Sequence, residues 1–307
     1  MTKSLCTLYP LLYTGNMSIQ ENVSLKGKIT MRIGGSAAYY AEVQTKDDVE
    51  EAAQFAKEKG IPLIPLGGGS NTIFADNIIN ALVIRITASQ VSHLKSHISV
   101  EAGKNLPMLI NELAKEGLDL SALTGILGTV GGAVFGNAGQ GPSGVWIDSY
   151  ITEVEVFIDG QWKIISKEDC KFGYRESWFK SHVSRLTSPL IWSVTLDLPT
   201  KDSEEIAADI QKLLQKRIET QPHVKTAGSC FKAVGSTPAW QLIDKAGLRE
   251  TTSGGVHISP KHANFLINDG EAKFADAVKV VDTVQKKLGE DLEVEMRFIK
   301  EDGTLEF

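Results

Sequence analysis

The stretch Pro65-Leu66-Gly67-Gly68-Gly69-Ser70-Asn71 follows the apolar run at residues 61–66, and its reading decides how the rest of the chain is arranged. Three successive residues without a Cβ reach positive φ freely and let backbone N–H groups approach an anion at distances that side chains would block. Ser70 and Asn71 add side-chain donors where the chain leaves the turn, so the cluster reads as a pyrophosphate cradle at the end of a buried strand. A plain tight turn accounts for the same residues. The cluster is neither GxGxxG nor a Walker P-loop, because no helical pattern follows it directly and no GK[ST] is present.

Upstream, Thr45 and Asp48 form a capping box, and Val49, Ala52, Ala53 and Ala56 give a helix an apolar face that ends at Gly60. A strand through Tyr40 to Val43 precedes this helix and a strand at residues 61–66 follows it. Such a βαβ pattern delivers the glycines to the carboxyl end of a strand, where open sheets place ligands. Residues 77–80 read as a turn and residues 81–86 as another buried strand.

Downstream lies a second unit. It holds a strand at residues 97–100, a helix capped by Asn105 with Leu109, Ile110 and Leu113 on one face, and Gly117 at its end. Residues 154–157 and 162–165 read as a hairpin turning at Asp159-Gly160, and residues 190–198 as a closing strand. Between them, residues 123–139 place Gly125, Gly128, Gly131, Gly132, Gly136 and Gly139 in one apolar segment. An independent helix there loses about 1 kcal/mol for each glycine relative to alanine, so something presses closely on this backbone. Tight packing and a large planar cofactor are both consistent with it.

Charged and polar residues at 201–203 mark a boundary, and a long helix follows over residues 204–220. The last part reads as a strand near Ser229, a helix entered at Pro238 and strands around Val256 and Phe265. A helix with Phe274, Val278, Val281, Val284 and Leu288 on its apolar face and a strand at residues 293–299 complete it.

The 307 residues, 42% of them hydrophobic, suffice for two or three packed units. The formal charge of −6 leaves no basic stripe for nucleic acid, although a local basic pocket is compatible with it. Cys6, Cys170 and Cys230 are odd in number and far apart, so neither a disulfide framework nor a zinc knuckle is expected, and a reducing cytoplasm fits best. The six histidines lack ligand spacing, and no metal is expected. Residues 5–13 are mildly apolar but short and broken by Pro10, a poor signal peptide. Met17 serves equally as a start, which would leave residues 1–16 as a loose extension. Residues 118–145 are uncharged apart from Asp119 but too rich in glycine to span a membrane.

Three stretches carry side chains suited to chemistry. If Ala227-Gly228-Ser229-Cys230-Phe231-Lys232 is extended, Ser229 and Phe231 face one way and Cys230 the other, so the serine and the cysteine cannot serve one site. Cys230 then reads as a buried thiol rather than a nucleophile, and Ser229, without a GxSxG elbow or evident His/Asp partners, as a structural serine rather than part of a hydrolase triad. Phe172-Gly173-Tyr174-Arg175-Glu176-Ser177 sets a guanidinium suited to bidentate contact with carboxylate or phosphate beside a phenol, or else is a solvated loop. In the segment from Leu292 to Phe298, alternation puts Glu293, Glu295 and Arg297 on one face; an exposed charged face explains this without function.

Taken in order, residues 21–298 resemble the UDP-N-acetylenolpyruvoylglucosamine reductases. The resemblance rests on Arg32-Ile33-Gly34-Gly35, Leu66-Gly67-Gly68-Gly69-Ser70-Asn71, Gly128-Thr129-Val130-Gly131-Gly132-Ala133, Asn137-Ala138-Gly139 and Phe172-Gly173-Tyr174-Arg175. It continues through Thr220-Gln221-Pro222, Ala227 to Lys232, Ala246-Gly247-Leu248, Lys261-His262-Ala263-Asn264-Phe265 and Leu292 to Arg297.

The resemblance implies an α+β protein with a two-lobed FAD-binding fold of the vanillyl-alcohol-oxidase/PCMH type and a C-terminal α+β substrate-binding domain. Its divisions would be an N-terminal extension (1–20), two FAD-binding subdomains (21–87 and 88–200) and the substrate domain (201–307). It implies that NADPH reduces FAD, which passes hydride to the enolpyruvyl double bond of a UDP-sugar in peptidoglycan precursor synthesis. By position Ser229 is similar to the family's proton donor, and Arg175 and Glu295 to the pair that engages the substrate carboxylate. Tyr174 and Lys232 resemble substrate contacts. Cofactor contacts are expected from Arg32, Gly34, Gly67, Gly68, Gly69, Ser70, Asn71, Gly128, Thr129, Gly131, Gly132, Asn137 and Ala138. No nucleic-acid or membrane partner is implied, and a monomer or weak homo-oligomer is expected.

Leu127 stands where the family often has proline, Met31 where it has phenylalanine or tryptophan, and Ala233 where asparagine usually follows the Phe-Lys pair. The region after Tyr174 is short, as in the subgroup without an extra substrate-covering loop. A flavin oxidase of the same fold and a non-catalytic nucleotide-binding protein are the alternatives. Such oxidases often tether flavin through histidine or cysteine, and neither occurs within residues 67–71 or 128–139.

Overall fold

The computed structural model describes residues 17–94, 97–141, 144–184, 188–289 and 291–307. The expectations for residues 1–16 therefore fall outside the described residues. The first unit contains β1 (Gln20–Ser24), β2 (Ser36–Val43), α1 (Lys46–Lys59), β3 (Leu63–Pro65), β4 (Thr72–Phe74) and β5 (Ile78–Ile86). The second contains β6 (Val91–Leu94), β7 (His97–Glu101), α2 (Leu106–Lys115), α3 (Val130–Phe135), β8 (Ile151–Ile158), β9 (Gln161–Ser166), α4 (Trp178–Ser181) and β10 (Leu190–Leu196). Next come α5 (Ser203–Thr220), α6 (Ala239–Lys245), β11 (Thr252–Ser253), β12 (Val256–Ile258), β13 (Leu266–Asn268), α7 (Phe274–Leu288) and β14 (Arg297–Ile299).

In the first sheet, ordered β1-β2-β5-β3, both β2 and β3 run parallel to β5. The expected βαβ unit is present, with β5 inserted between its two strands. Thr45 and Asp48 make the reciprocal capping box of α1, and Gly60 ends the helix at φ +64°, a conformation that an L side chain rarely adopts. Residues 78–80, expected in a turn, already belong to β5, because Ser36 and Ala37 of β2 pair with Ile78 and Ile79. Partner strands outweighed the local turn signal of Asn77 and Asn80.

The second sheet, ordered β6-β7-β10-β8-β9, is antiparallel throughout. Its core takes Leu109, Ile110 and Leu113 from α2, Val130 and Val134 from α3, and Ile206 and Ile210 from α5. A further core joins the two sheets, packing Phe157, Leu190 and Trp192 against Val49, Ala52 and Phe55 of α1. Each of the larger side chains contributes on the order of 2 kcal/mol through removal from water.

Strand β14 returns to pair in parallel with β4, Arg297 opposite Thr72, immediately beyond the glycine cluster. Only residues 297–299 of the expected strand at 293–299 are regular; Val294 makes an isolated bridge to Phe231. The core beneath combines Met31, Ile33 and Ile73 with Val280, Val281 and Val284 of α7 and with Cys230 and Phe231. Ser229 is half-buried, whereas Cys230 and Phe231 are both buried, so the simple alternation fails at Phe231. Asn264 causes the departure. Its side chain accepts from Phe231 N–H (2.9 Å) and donates to Phe231 C=O (2.8 Å), and segments on both sides cover the chain.

Candidate functional site

The two glycine-rich segments meet face to face. A Cβ on Gly68 would lie 2.6 Å from Gly128 Cα, and one on Gly67 would lie 2.9 Å from Thr129 Oγ1. Gly69 has φ +68° and no room either, since a Cβ would sit 2.5 Å from Lys28 O. Only glycine fits this approach.

Ser70 and Asn71 do not offer their side chains outward as expected. Ser70 Oγ donates to Leu127 O (2.9 Å) and Asn71 Nδ2 to Ala227 O (3.3 Å), while Thr129 Oγ1 accepts from Gly132 N to cap α3. These groups tie the loops together. The amides are left for a ligand: among the described residues, those of Gly67, Gly68, Gly69 and Ser70 donate to no backbone carbonyl. Gly68 and Gly132 are exposed, so these amides without backbone partners form a candidate anion cradle that meets solvent at Gly68.

Of the other glycines in residues 123–139, some answer to the protein itself. A Cβ would strike Arg217 Cδ at Gly125, Ala102 Cβ at Gly131 and Trp146 Cδ1 at Gly139. Tight packing explains those three positions, whereas Gly132 keeps an open side. Gly34 is buried with a would-be Cβ 3.2 Å from Phe74 Cβ, and exposed Arg32 sits at φ +57°.

Asn137 is fully buried at φ +42°, and its side chain holds neighbouring backbone: Nδ2 donates to Gly173 O (2.9 Å) and Oδ1 accepts from Asp148 N (3.3 Å). Ala138 is half-buried, its amide bound to Ala133 O. Through Asn137 the second glycine segment positions the loop at residues 173–176. That loop carries Arg175, itself at φ +58°.

Arg175 is not solvated. Its Nε donates to Glu295 Oε1 (2.8 Å), its Nη2 to Gly139 O (2.8 Å) and its Nη1 to Asn137 O (3.3 Å); the paired side chains are 14% and 16% exposed. Burial pushes the Glu295 carboxyl above the ordinary carboxylate range, and the Arg175 guanidinium offsets this only in part. Glu295 N–H donates to Cys230 O (2.7 Å), which places Ser229 one residue from the backbone contact that fixes Glu295. The structure therefore joins Arg175 and Glu295 directly and brings the backbone next to Ser229 against Glu295.

Tyr174 OH accepts from Ala233 N–H (3.2 Å), and Lys232 Nζ contacts both Glu176 and Glu293. Burial and a neighbouring carboxylate raise the Cys230 thiol, as suits an inert structural cysteine.

The sequence motifs do not single out Arg297, but the structure sets it at the site. Its guanidinium lies 5.2 Å from the Phe135 ring and 3.4 Å from Pro65 O, its amide binds Asn71 O (3.0 Å), and burial lowers its pKa to about 10. The signal was present in the alternation that set Arg297 on the face of Glu295.

Comparison with known proteins identifies the arrangement. Residues 220–299 match the family described as UDP-N-acetylenolpyruvoylglucosamine reductase, C-terminal domain, and residues 37–162 match a FAD binding domain. A UDP-N-acetylenolpyruvoylglucosamine reductase of Chlamydia muridarum is 37% identical over 290 residues, covering 92% of this chain and 95% of its own. The chain belongs to the UDP-N-acetylenolpyruvoylglucosamine reductase family.

The reductase of Moorella thermoacetica is 34% identical over 294 residues, covering 93% of this chain and 95% of its own. The crystal structure of UDP-N-acetylenolpyruvylglucosamine reductase from Thermus caldophilus aligns with a TM-score of 0.79 at 34% identity, over 92% of this chain and 99% of that one. The family resemblance and the α+β, FAD-binding fold class read from the motifs are both borne out. FAD also fits the residues present: the amides of Gly67 to Ser70, without backbone acceptors, lie where the two glycine segments meet, and the half-buried Arg297 donates to Pro65 O beside them. Among the described residues, no helix is long and apolar enough to cross a membrane.

Proposed function

We propose that the chain performs the NADPH-dependent, FAD-mediated reduction of UDP-N-acetylglucosamine enolpyruvate to UDP-N-acetylmuramate in peptidoglycan precursor synthesis. The observation that carries this reading is the Arg175–Glu295 pair, drawn from two distant parts of the chain and set against the Ser229 segment beside the glycine cradle. Bound FAD supplies hydride transfer from NADPH to the terminal carbon of the substrate's double bond.

The residues of the chain handle charge and protons. Ser229 Oγ–H donates the proton to the adjacent carbon, which is basic once the double bond has accepted hydride. Arg175, fixed by Glu295 and two carbonyls, binds the substrate carboxylate and stabilises the negative charge that delocalises onto it. Because those contacts are made before substrate arrives, little reorganisation is needed during reaction. Glu295 orients the guanidinium and, with its raised proton affinity, is suited to pass a proton toward the site.

Tyr174 and Lys232 contact the substrate, with Lys232 directed to its anionic portion. Backbone amides of Gly67, Gly68, Gly69 and Ser70 hold the FAD pyrophosphate, with Asn71, Thr129 and Asn137 shaping the loops around it. On this reading residues 21–87 and 88–200 hold FAD, residues 201–307 cover the sugar nucleotide, and the enzyme works in the cytoplasm as a monomer or weak homo-oligomer. Buried free thiols at Cys170 and Cys230 support the reducing compartment.

The test is to purify the protein, record its visible spectrum with FAD, and mix it with NADPH and the enolpyruvyl sugar nucleotide. Flavin absorption and NADPH oxidation that requires the sugar nucleotide are expected. A protein that takes up no FAD contradicts the proposal.

A further inference from the structure

Lys232 is the most enclosed lysine of the site, its side chain 12% exposed, and its ammonium lies between two carboxylates from remote parts of the chain. Glu176 comes from the loop that carries Arg175; Glu293, 2.6 Å away, comes from the segment leading to Glu295. The two carboxylates differ from the lysine in cover: their side chains are 47% and 66% exposed. The Lys232 backbone is also pinned, its N–H donating to Glu293 O at 2.9 Å. In this cluster the lysine is the fixed part and the carboxylates are the parts free to swing into water. Glu176 has a second partner ready, since Lys180 Nζ lies 3.2 Å from the same carboxylate.

An ammonium has three donors and no acceptor. Two carboxylates already neutralise it, and a phosphate brought to the same cation meets like charge on both sides. We propose that Glu176 and Glu293 form a clamp on Lys232 that the diphosphate of the sugar nucleotide displaces, so these two residues set how well nucleotide alone competes for the site. This rests on the reading of Lys232 as the anion contact. The clamp disfavours small diphosphates, which have few other contacts to offset the displacement, relative to the complete substrate.

The test is calorimetric titration of UDP and of inorganic pyrophosphate into the FAD-loaded full chain. The variants are Glu176→Gln, Glu293→Gln, the two together, and each in a Lys232→Met background. Each glutamine variant is expected to bind UDP roughly threefold tighter and the pair roughly tenfold, as for partly exposed ion pairs. Pyrophosphate should gain equally, and Lys232→Met should cancel the gain.

Glutamine variants that bind UDP no better than wild type, while Lys232→Met binds it more weakly, would overturn the clamp and leave the lysine assignment standing. Unchanged UDP binding in Lys232→Met would remove the lysine as the anion contact, and the clamp with it. A gain for UDP without one for pyrophosphate would overturn the assignment to the diphosphate.

Discussion

Substituting Gly68 with alanine probes the contact on which the cofactor cradle depends. Gly68 needs no unusual φ, so the substitution acts through space rather than backbone strain. The new methyl would sit 2.6 Å from Gly128 Cα and 3.2 Å from Gly128 C, both backbone atoms that cannot rotate away. Restoring ordinary carbon–carbon contact requires the two segments to part by about 1 Å. Overpacking of this kind costs about 1–3 kcal/mol. Where that cost falls on the cofactor-bound state, FAD affinity drops by roughly fivefold to 150-fold; where the loops are equally close without FAD, the melting temperature falls instead. Fluorescence titration of FAD into the apoprotein, with a thermal melt of each form, separates the two cases. Gly27→Ala is the control, because a Cβ there meets nothing within 4 Å. Wild-type FAD affinity together with wild-type melting in Gly68→Ala would refute the account of the paired glycine loops.

Arg175→Ala leaves the Glu295 carboxyl covered without its counter-ion and is expected to destabilise the fold by on the order of 3 kcal/mol. Adding Glu295→Ala should recover part of that loss in a double-mutant denaturation cycle. Because folding raises the Glu295 pKa, its favourable contribution is complete below the unfolded value of 4.5 and is lost as pH rises through the folded value. Glu176 behaves oppositely: burial raises its pKa, but Lys232 and Lys180 outweigh this and hold it below 4.5, so its contribution is lost as pH falls through the folded value. Urea denaturation over an acidic pH series should therefore change slope in opposite senses in Glu295→Gln and Glu176→Gln. Cys170, whose thiol burial pushes up to about 12, and Cys230 should react with a thiol reagent only on unfolding; rapid modification of either in the folded protein contradicts their buried placement.

Most of the first two sheets could be read from local signals. Thr45 and Asp48, Asn105, and the Asp159-Gly160 turn each mark an element boundary by a short-range mechanism, and each stands where it was expected. Signals that depend on remote partners were less legible. The start of β5 at Ile78 is set by β2, and the cover over Phe231 is set by Asn264, 33 residues away.

The site divides in the same way. The motifs marked Gly67 to Asn71 and Arg175, but no pattern showed that Ser70, Asn71 and Asn137 would direct their side chains to neighbouring backbone. Alternation placed Glu295 and Arg297 on one face; only the remote contacts, Arg175 against Glu295 and the Phe135 ring beside Arg297, reveal that these two side chains are covered.

On the proposed mechanism, the backbone contact between Cys230 and Glu295 sets the Ser229 hydroxyl as the proton donor. Rapid-mixing measurements on Ser229→Ala test it by following reduction of the FAD-loaded protein by NADPH separately from turnover of the enolpyruvyl sugar nucleotide. Reduction by NADPH is expected to stay near the wild-type rate while substrate turnover slows by roughly 100-fold or more. Equal slowing of both half-reactions, or undiminished turnover, would contradict the assignment.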